Sequence, residues 1–221
     1  MLAGPWCADI LGDQGADVIK IEVPGKGDHV RSLRHSSGGL PSMFVNINRS
    51  KRSLELNLKH DDGRAVFLDL VKSADLVIQN FRPGVVDRLG IGYDAAQAAN
   101  PSIIYLSLSG FGERGPYAHK RVYDPVVQAL SGLTTIQAGS DEERPRLIRT
   151  VLPDKLTAIT AAQAATSALV GALAHRDRTA CPAIDAGLDR GVPVGIGHGW
   201  ADVRRRTDDG TGGGQLPRPD L

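Results

Sequence analysis

In the stretch LPDKLTAIT, Asp154 stands just ahead of an alanine-rich run extending from Lys155 to His175. An aspartate in that place is a natural helix N-cap, accepting backbone N–H bonds and meeting the positive end of the helix. The same placement is expected to lower its pKa, keeping a carboxylate ionised and available as a nucleophile if a substrate reaches it. On residue types alone both roles, cap and nucleophile, stay open.

Basic residues gather in two loops, QNFRPGVVDRLG (79–90) and GFGERGPY (110–117), each directly after a predicted strand. Arg82, Arg88 and Arg121 could serve a phosphate there, or simply decorate turns beside Pro and Gly. Gly110 to Gly115 also matches GxGxxG. That fingerprint must open a helix whose N-terminus holds a pyrophosphate, whereas Pro116 and the polar YAHKR come next, which argues against a nicotinamide-dependent dehydrogenase. The sequence holds no GxxxxGK[ST] loop and no HExxH. His29, His35, His60 and His119 lie in polar surroundings, as exposed histidines do. Cys7 and Cys181 are far apart with no CxxC spacing, so neither a disulfide framework nor a zinc site is expected, and no metal is assigned.

The elements that must position these residues follow from periodicity. Trp6, Ala8, Ile10 and Leu11 give Ala3 to Gln14 a helical spacing, with Gly12 and Gly15 near its end. A strand follows at Asp17 to Glu22, closed by Pro24-Gly25. The helix-then-strand unit returns at Asp61 to Lys72 and Asp75 to Gln79, and Ser102 to Ser109 adds another strand. Helices are predicted over Tyr123 to Leu133 and Lys155 to His175. Strands separated by helical stretches of this length favour a parallel sheet, because parallel strands need long crossovers, so the expected class is α/β, a Rossmann-like parallel sheet with covering helices. Ligands in such folds bind beyond the carboxyl ends of the strands, where the two basic loops lie.

With 26 basic and 25 acidic residues, a formal charge of +1 gives no reason to expect nucleic acid or an anionic membrane as partner. No apolar run is read as approaching the roughly 20 residues of a membrane helix, and the start lacks a basic segment followed by an apolar one. A cytoplasmic location is expected. After about Arg178 the sequence becomes dense in Gly, Pro, Arg and Asp without sustained period, and an irregular or disordered C-terminal tail is expected.

The segments AGPWCADILGDQGADVIKIEVPGKGD, NRSKRSLELNLK, ADLVIQNFRPGVVDRLGIGYD, NPSIIYLSLSGFGERGPY and VYDPVVQALSG together resemble the family III CoA-transferases of the CaiB/BaiF type. That family includes formyl-CoA transferase, L-carnitine CoA-transferase and alpha-methylacyl-CoA racemase. The resemblance implies coenzyme A contacts at Ala3, Leu56, Lys59, Asn80, Phe81, Arg88, Arg121 and Tyr123, and a nucleophile at Asp154. Lys59, Arg88 and Arg121 suit CoA phosphates, Phe81 offers an apolar face, and Asn80 a paired donor and acceptor. Coenzyme A and acyl-CoA are implied as substrates, with no prosthetic group. The racemase branch uses a histidine and aspartate pair, and the position before Asp124 is here Tyr123, a poor base near neutral pH, which favours transferase over racemase.

Two departures from the family pattern carry their own expectations. The resemblance begins inside its first motif and ceases near His175 to Thr179, so residues 1–178 are expected to form a partial large domain, and 179–221 a non-family tail, frameshift-derived. Intact relatives are interlocked homodimers, and a chain short of the second small domain is not expected to close that ring. The alternative function carried forward is a residual CoA-binding module, or pseudoenzyme, without transfer activity.

Overall fold

The structure is a computed structural model of the 221-residue chain. It describes residues 2–33, 36–37, 39–112, 115–176 and 192–195, with the backbone alone at 36–37, 175–176 and 192–195. His35, Glu113, Arg114, Cys181 and the expected irregular tail, apart from 192–195, lie outside the described residues.

Helix α1 (Ala3–Asp13) leads into strand β1 (Val18–Glu22). Pro5 sits in its first turn, where a missing N–H breaks no helical bond. The hairpin of β2 (Ser36–Ser37) and β3 (Leu40–Pro41) and the short helix α2 (Ser42–Asn46) precede β4 (Lys51–Glu55). There follow α3 (Asp61–Val71), β5 (Leu76–Gln79), α4 (Val85–Arg88), α5 (Tyr93–Ala99) and β6 (Ile104–Ser109). The last elements are α6 (Asp124–Leu130), α7 (Leu133–Ala138), α8 (Leu152–Arg176) and β7 (Val192–Gly195). β1 pairs with β4 in parallel, Val18 opposite Lys51. β5, β6 and β7 form a second parallel sheet with β6 at its centre, Leu76 opposite Ile104 and Leu106 opposite Val192. The architecture is α/β, as the alternation of helix and strand required.

Alternation along β6 buries both of its faces. Leu106 and Leu108 pack with Ala3, Cys7 and Leu11 of α1 and with Ala158, Ala161, Ala162 and Ala165 of α8. Those four alanines let α8 lie close against α1. On the opposite face Ile103 and Tyr105 join Val71 and Ala96, and the Tyr105 hydroxyl donates to the Ile91 carbonyl at 2.9 Å. Burial pushes the Cys7 thiol up to about 12, leaving it a packing residue.

Polar ties hold the β1–β4 side. Glu22, almost fully buried, accepts from Arg31 Nε and Nη2 (2.7 and 2.8 Å), Ser53 Oγ (2.8 Å) and the Asp28 N–H (2.7 Å). The Arg31 hydrogen bonds, against the cost of burial, hold its carboxyl at about 2. Lys51 Nζ donates to the carbonyls of Pro5 and Ile47, each at 2.6 Å, and so fastens α1 to β4.

Several boundaries differ from the periodic expectation. The helix expected over Tyr123 to Leu133 breaks at Gly132, whose φ of 76° is left-handed, giving α6 and α7. Helix α8 begins at Leu152, so Asp154 lies inside its first turn rather than at the cap. Within the segment expected to be irregular, Val192–Gly195 is a strand in register with β6. Against the expectation of no membrane-length run, Leu152–Ala174 is long and apolar enough to cross a membrane by length and composition, with a hydropathy of 1.4. Thr, Ser and Gln interrupt it, which hides it from a count of uninterrupted apolar residues, and one of its faces is core against α1 and β6.

Candidate functional site

A cavity of about 420 Å³ opens beyond the carboxyl ends of β5 and β6. The start of α1 contributes Leu2 and Ala3; the loop after β5 contributes Asn80 to Pro83, and the loop after β6 Ser109 and Gly110. Lys120 and Val122 to Pro125 form one side, and Asp154 with Thr157 the floor from α8.

Close backbone approach makes this assembly. Asn80 Oδ1 accepts from the Gly4 N–H at 3.3 Å and its Nδ2 donates to the Leu108 carbonyl at 2.8 Å, drawing the α1 N-terminus to the end of β6. A Cβ on Gly4 would stand 2.9 Å from that of Asn80. At Gly110 an added Cβ would lie 1.8 Å from Val122 Cγ1, so only glycine lets the strap carrying Lys120 and Tyr123 pass there.

Asp154 accepts a hydrogen bond from the Ala3 N–H. Its own N–H donates to Asp124 Oδ2 at 3.2 Å. Asp124 is buried, and its Oδ1 accepts from Gln128 Nε2 at 2.6 Å. Gln128 in turn bonds the Ile148 N–H (2.9 Å) and the Thr150 carbonyl (3.1 Å), so one polar chain runs from that strap to the first turn of α8. Contrary to the expected lowering, the Asp154 pKa is raised. Desolvation is the main cause and the neighbouring Asp124 charge adds to it, while the positive charge of the amino terminus and the Ala3 bond work the other way. A helix N-terminus favours the carboxylate, but here α1 covers the helix end and the desolvation outweighs that effect.

Of the residues singled out in the sequence, Ala3, Asn80, Phe81, Tyr123 and Asp154 line this cavity. Phe81 and Tyr123 stand at its rim, 46% and 64% exposed. Leu56, Lys59, Arg88 and Arg121 are not among its lining residues. Leu56 donates its N–H to the Glu22 carbonyl at the end of β4, and Lys59 lies in the turn into α3. Arg88 ends α4, with its guanidinium beside Gly84. Arg121 points out between two lining residues. Sequence reasoning missed Lys120, whose ammonium lies 4.2 Å above the Tyr117 ring, and the buried pair Asp124 and Gln128. The basic run after Pro116 signals the first; spacing of i, i+4 on one helix is the only signal of the second. No helix opens at the GFGERG loop, since 116–119 are turns, as argued against a dinucleotide fingerprint. Among the described residues no cluster of three or more His, Cys, Asp or Glu could hold a metal.

Comparison with known proteins identifies the family. A family model for CoA-transferase family III matches residues 1–180. The chain is 46% identical over 154 residues to acetyl-CoA:oxalate CoA-transferase of Acetobacter aceti, covering 70% of this chain and 40% of that protein. It is 38% identical over 193 residues to succinyl-CoA–D-citramalate CoA-transferase of Chloroflexus aurantiacus, covering 86% and 47%. The crystal structure of a CAIB/BAIF family protein from Brucella suis superposes with a TM-score of 0.73 at 34% identity, covering 87% of this chain and 48% of that one. The chain thus spans less than half the length of these curated relatives. With the matched segment spanning both strand-end loops, the α1 N-terminus and Asp154, the chain belongs to CoA-transferase family III.

Proposed function

We propose that this protein takes part in transfer of coenzyme A from an acyl-CoA thioester to a carboxylic acid, with Asp154 as the covalent nucleophile. The observation that carries this is a half-buried carboxylate, tied to the α1 N-terminus, on the floor of a cavity bounded by both strand-end loops. The Asp154 carboxylate attacks the thioester carbonyl; a C–O bond forms, the C–S bond breaks, and CoA thiolate leaves a mixed anhydride. The thiolate then attacks the Asp154 carbonyl, releasing the donor acid and giving an aspartyl-CoA thioester. The acceptor carboxylate repeats the exchange in reverse and Asp154 is regenerated. Covalent storage of this kind divides one difficult transfer into easier steps.

Ala3, Leu56, Lys59, Asn80, Phe81, Arg88, Arg121 and Tyr123 are assigned to CoA. Five of the nine assigned positions, Asp154 included, share the cavity; of the four outside it, Lys59, Arg88 and Arg121 carry the charge this reading assigns to the CoA phosphates. A cytosolic enzyme without a prosthetic group fits this substrate pair. Oxalate and D-citramalate, named for two relatives, make dicarboxylic acids the first acceptors to try.

In the test, the chain is incubated with acetyl-CoA and oxalate or glutarate, and new acyl-CoA is separated by chromatography. Asp154→Ala is expected to lose transfer by about 10³-fold or more while still binding CoA in calorimetry. Without acceptor, the wild-type chain should gain the mass of CoA less one water, as a thioester requires, and Asp154→Asn should not. Undiminished transfer by Asp154→Ala would end the nucleophile assignment. CoA binding with no exchange by the wild-type chain would support a binding module instead.

A further inference from the structure

The cavity that holds Asp154 is lined by two basic side chains, and they stand on different walls. Arg82 belongs to the loop after β5, beside Asn80 and Phe81, whereas Lys120 stands on the strap that passes Gly110 and leads to Asp124. Arg121, the basic residue singled out in the sequence, is not a lining residue, so the charge this strap turns to the cavity is that of its neighbour. Lys120 has no carboxylate ion-paired to it among the described residues. Of the two acidic residues in the lining, Asp124 is engaged by Gln128 Nε2 and the Asp154 N–H, and Asp154 by the Ala3 N–H. The ammonium is left for a ligand.

Its place is set by the strap. The Lys120 N–H donates to the Tyr117 carbonyl at 2.9 Å, and in that turn Nζ lies 4.2 Å above the Tyr117 ring. The ring in turn meets Phe111, just past the end of β6, edge to face at 5.6 Å. A cation–π seat of this kind holds an ammonium without neutralising it. On the other side of Lys120 the strap is pinned where Val122 crosses Gly110, which has no room for a side chain.

The proposed exchange brings an acid carboxylate up to an acyl group on Asp154, beside the Asp124 charge. That approach is repulsive unless a cation in the same cavity offsets it. The long pantetheine arm keeps the CoA phosphates far from the sulfur, so a cation sharing the cavity with Asp154 serves the reacting end. Lysine supplies a compact, rotatable point charge, suited to a carboxylate that must enter as acceptor and leave as donor acid.

We propose that Lys120 binds the reacting carboxylate of the acid substrate beside Asp154; this rests on the CoA-transfer function proposed above. With acetyl-CoA as donor, Lys120→Met is expected to raise KM for glutarate about tenfold and leave KM for acetyl-CoA unchanged. Lys120→Arg, which keeps the charge, should recover most of the loss, and Tyr117→Leu, which removes only the seat, should fall between. Lys120 is exposed, so added salt should raise KM for glutarate in the wild-type chain and much less in Lys120→Met, a response that a purely structural role would not give. Binding is measured separately in an Asp154→Asn chain, whose neutral side chain stands in for the acylated aspartate. Calorimetric titration there should show Lys120→Met weakening glutarate about tenfold and leaving CoA unchanged. Equal glutarate affinity with and without Lys120, no glutarate binding in the Asp154→Asn chain, or a matching loss for CoA, which would put the ammonium on a phosphate, would overturn the assignment. Lys120-dependent glutarate binding, beside a wild-type chain that transfers no CoA, would support the acid site and sink the transfer function alone.

Discussion

Opposing influences act on the Asp154 carboxyl: burial and the Asp124 charge favour the protonated form, and the positive charge of the amino terminus and the Ala3 N–H favour the carboxylate. Burial wins, so the group titrates above the ordinary aspartate range. Only the carboxylate attacks a thioester, and the sign follows: transfer should rise with pH through a midpoint above that of a free aspartate, as kcat/KM measured from pH 3 to 8 will show. A pH-independent rate across that range would remove Asp154 from the rate-determining chemistry. The same shift has a stability counterpart. A carboxyl whose folded pKa is raised weakens the fold once it ionises, so Asp154→Asn should melt higher than wild type at pH 7, with the difference closing in acid. Legibility in the sequence was uneven at this scale. The identity and place of Asp154 are read from its position before an alanine-rich run, but the direction of its pKa is not, because that depends on α1 covering the helix end.

At the scale of elements, the site is built where short pieces meet, and the ties are polar. Glu22 closes β1 by gathering Arg31, Ser53 and the Asp28 N–H around one buried carboxylate held at about 2. A folded-state pKa below the unfolded value of roughly 4.3 gives stability that is complete above that value and lost as pH falls toward 2. We expect a loss of up to about 3 kcal/mol over that interval, read from urea midpoints, and a flatter pH profile for Glu22→Gln. An unchanged acid profile in that variant would show that the cluster contributes nothing net. Strands β1, β5 and β6 and helices α1 and α3 were legible as periodic runs, within one or two residues at their ends. β4 was not, since KRSLE carries a single apolar residue, and its pairing with β1 comes from backbone register, to which periodicity is blind.

For the whole molecule, α8 is the decisive element because it has two faces. Its alanines close the core against α1 and β6, while Leu156, Ile159, Val170 and Leu173 on another side are 55–61% exposed. Their positions fall within one arc of the helix, giving an apolar strip in two pairs with Gln163 and Thr166 between them. Strips of this kind drive association in water. The isolated chain is expected to self-associate with rising concentration in analytical ultracentrifugation, and Ile159→Lys with Leu173→Lys to suppress this without altering the far-ultraviolet spectrum. Concentration-independent sedimentation of the wild-type chain would show that the strip is harmless.

Family membership and the α/β class were determined by sequence alone, and the candidate nucleophile was implied by the family resemblance, because motif order and alternating helix and strand periods are local along the chain. Which assigned residues share one cavity, why Gly4 and Gly110 admit no side chain, and how Gln128 and Asp124 link Thr150 to Asp154 were decided only by the tertiary structure. Those are contacts between residues up to 76 positions apart, and both side-chain desolvation and hydrogen-bond partners are set by such contacts.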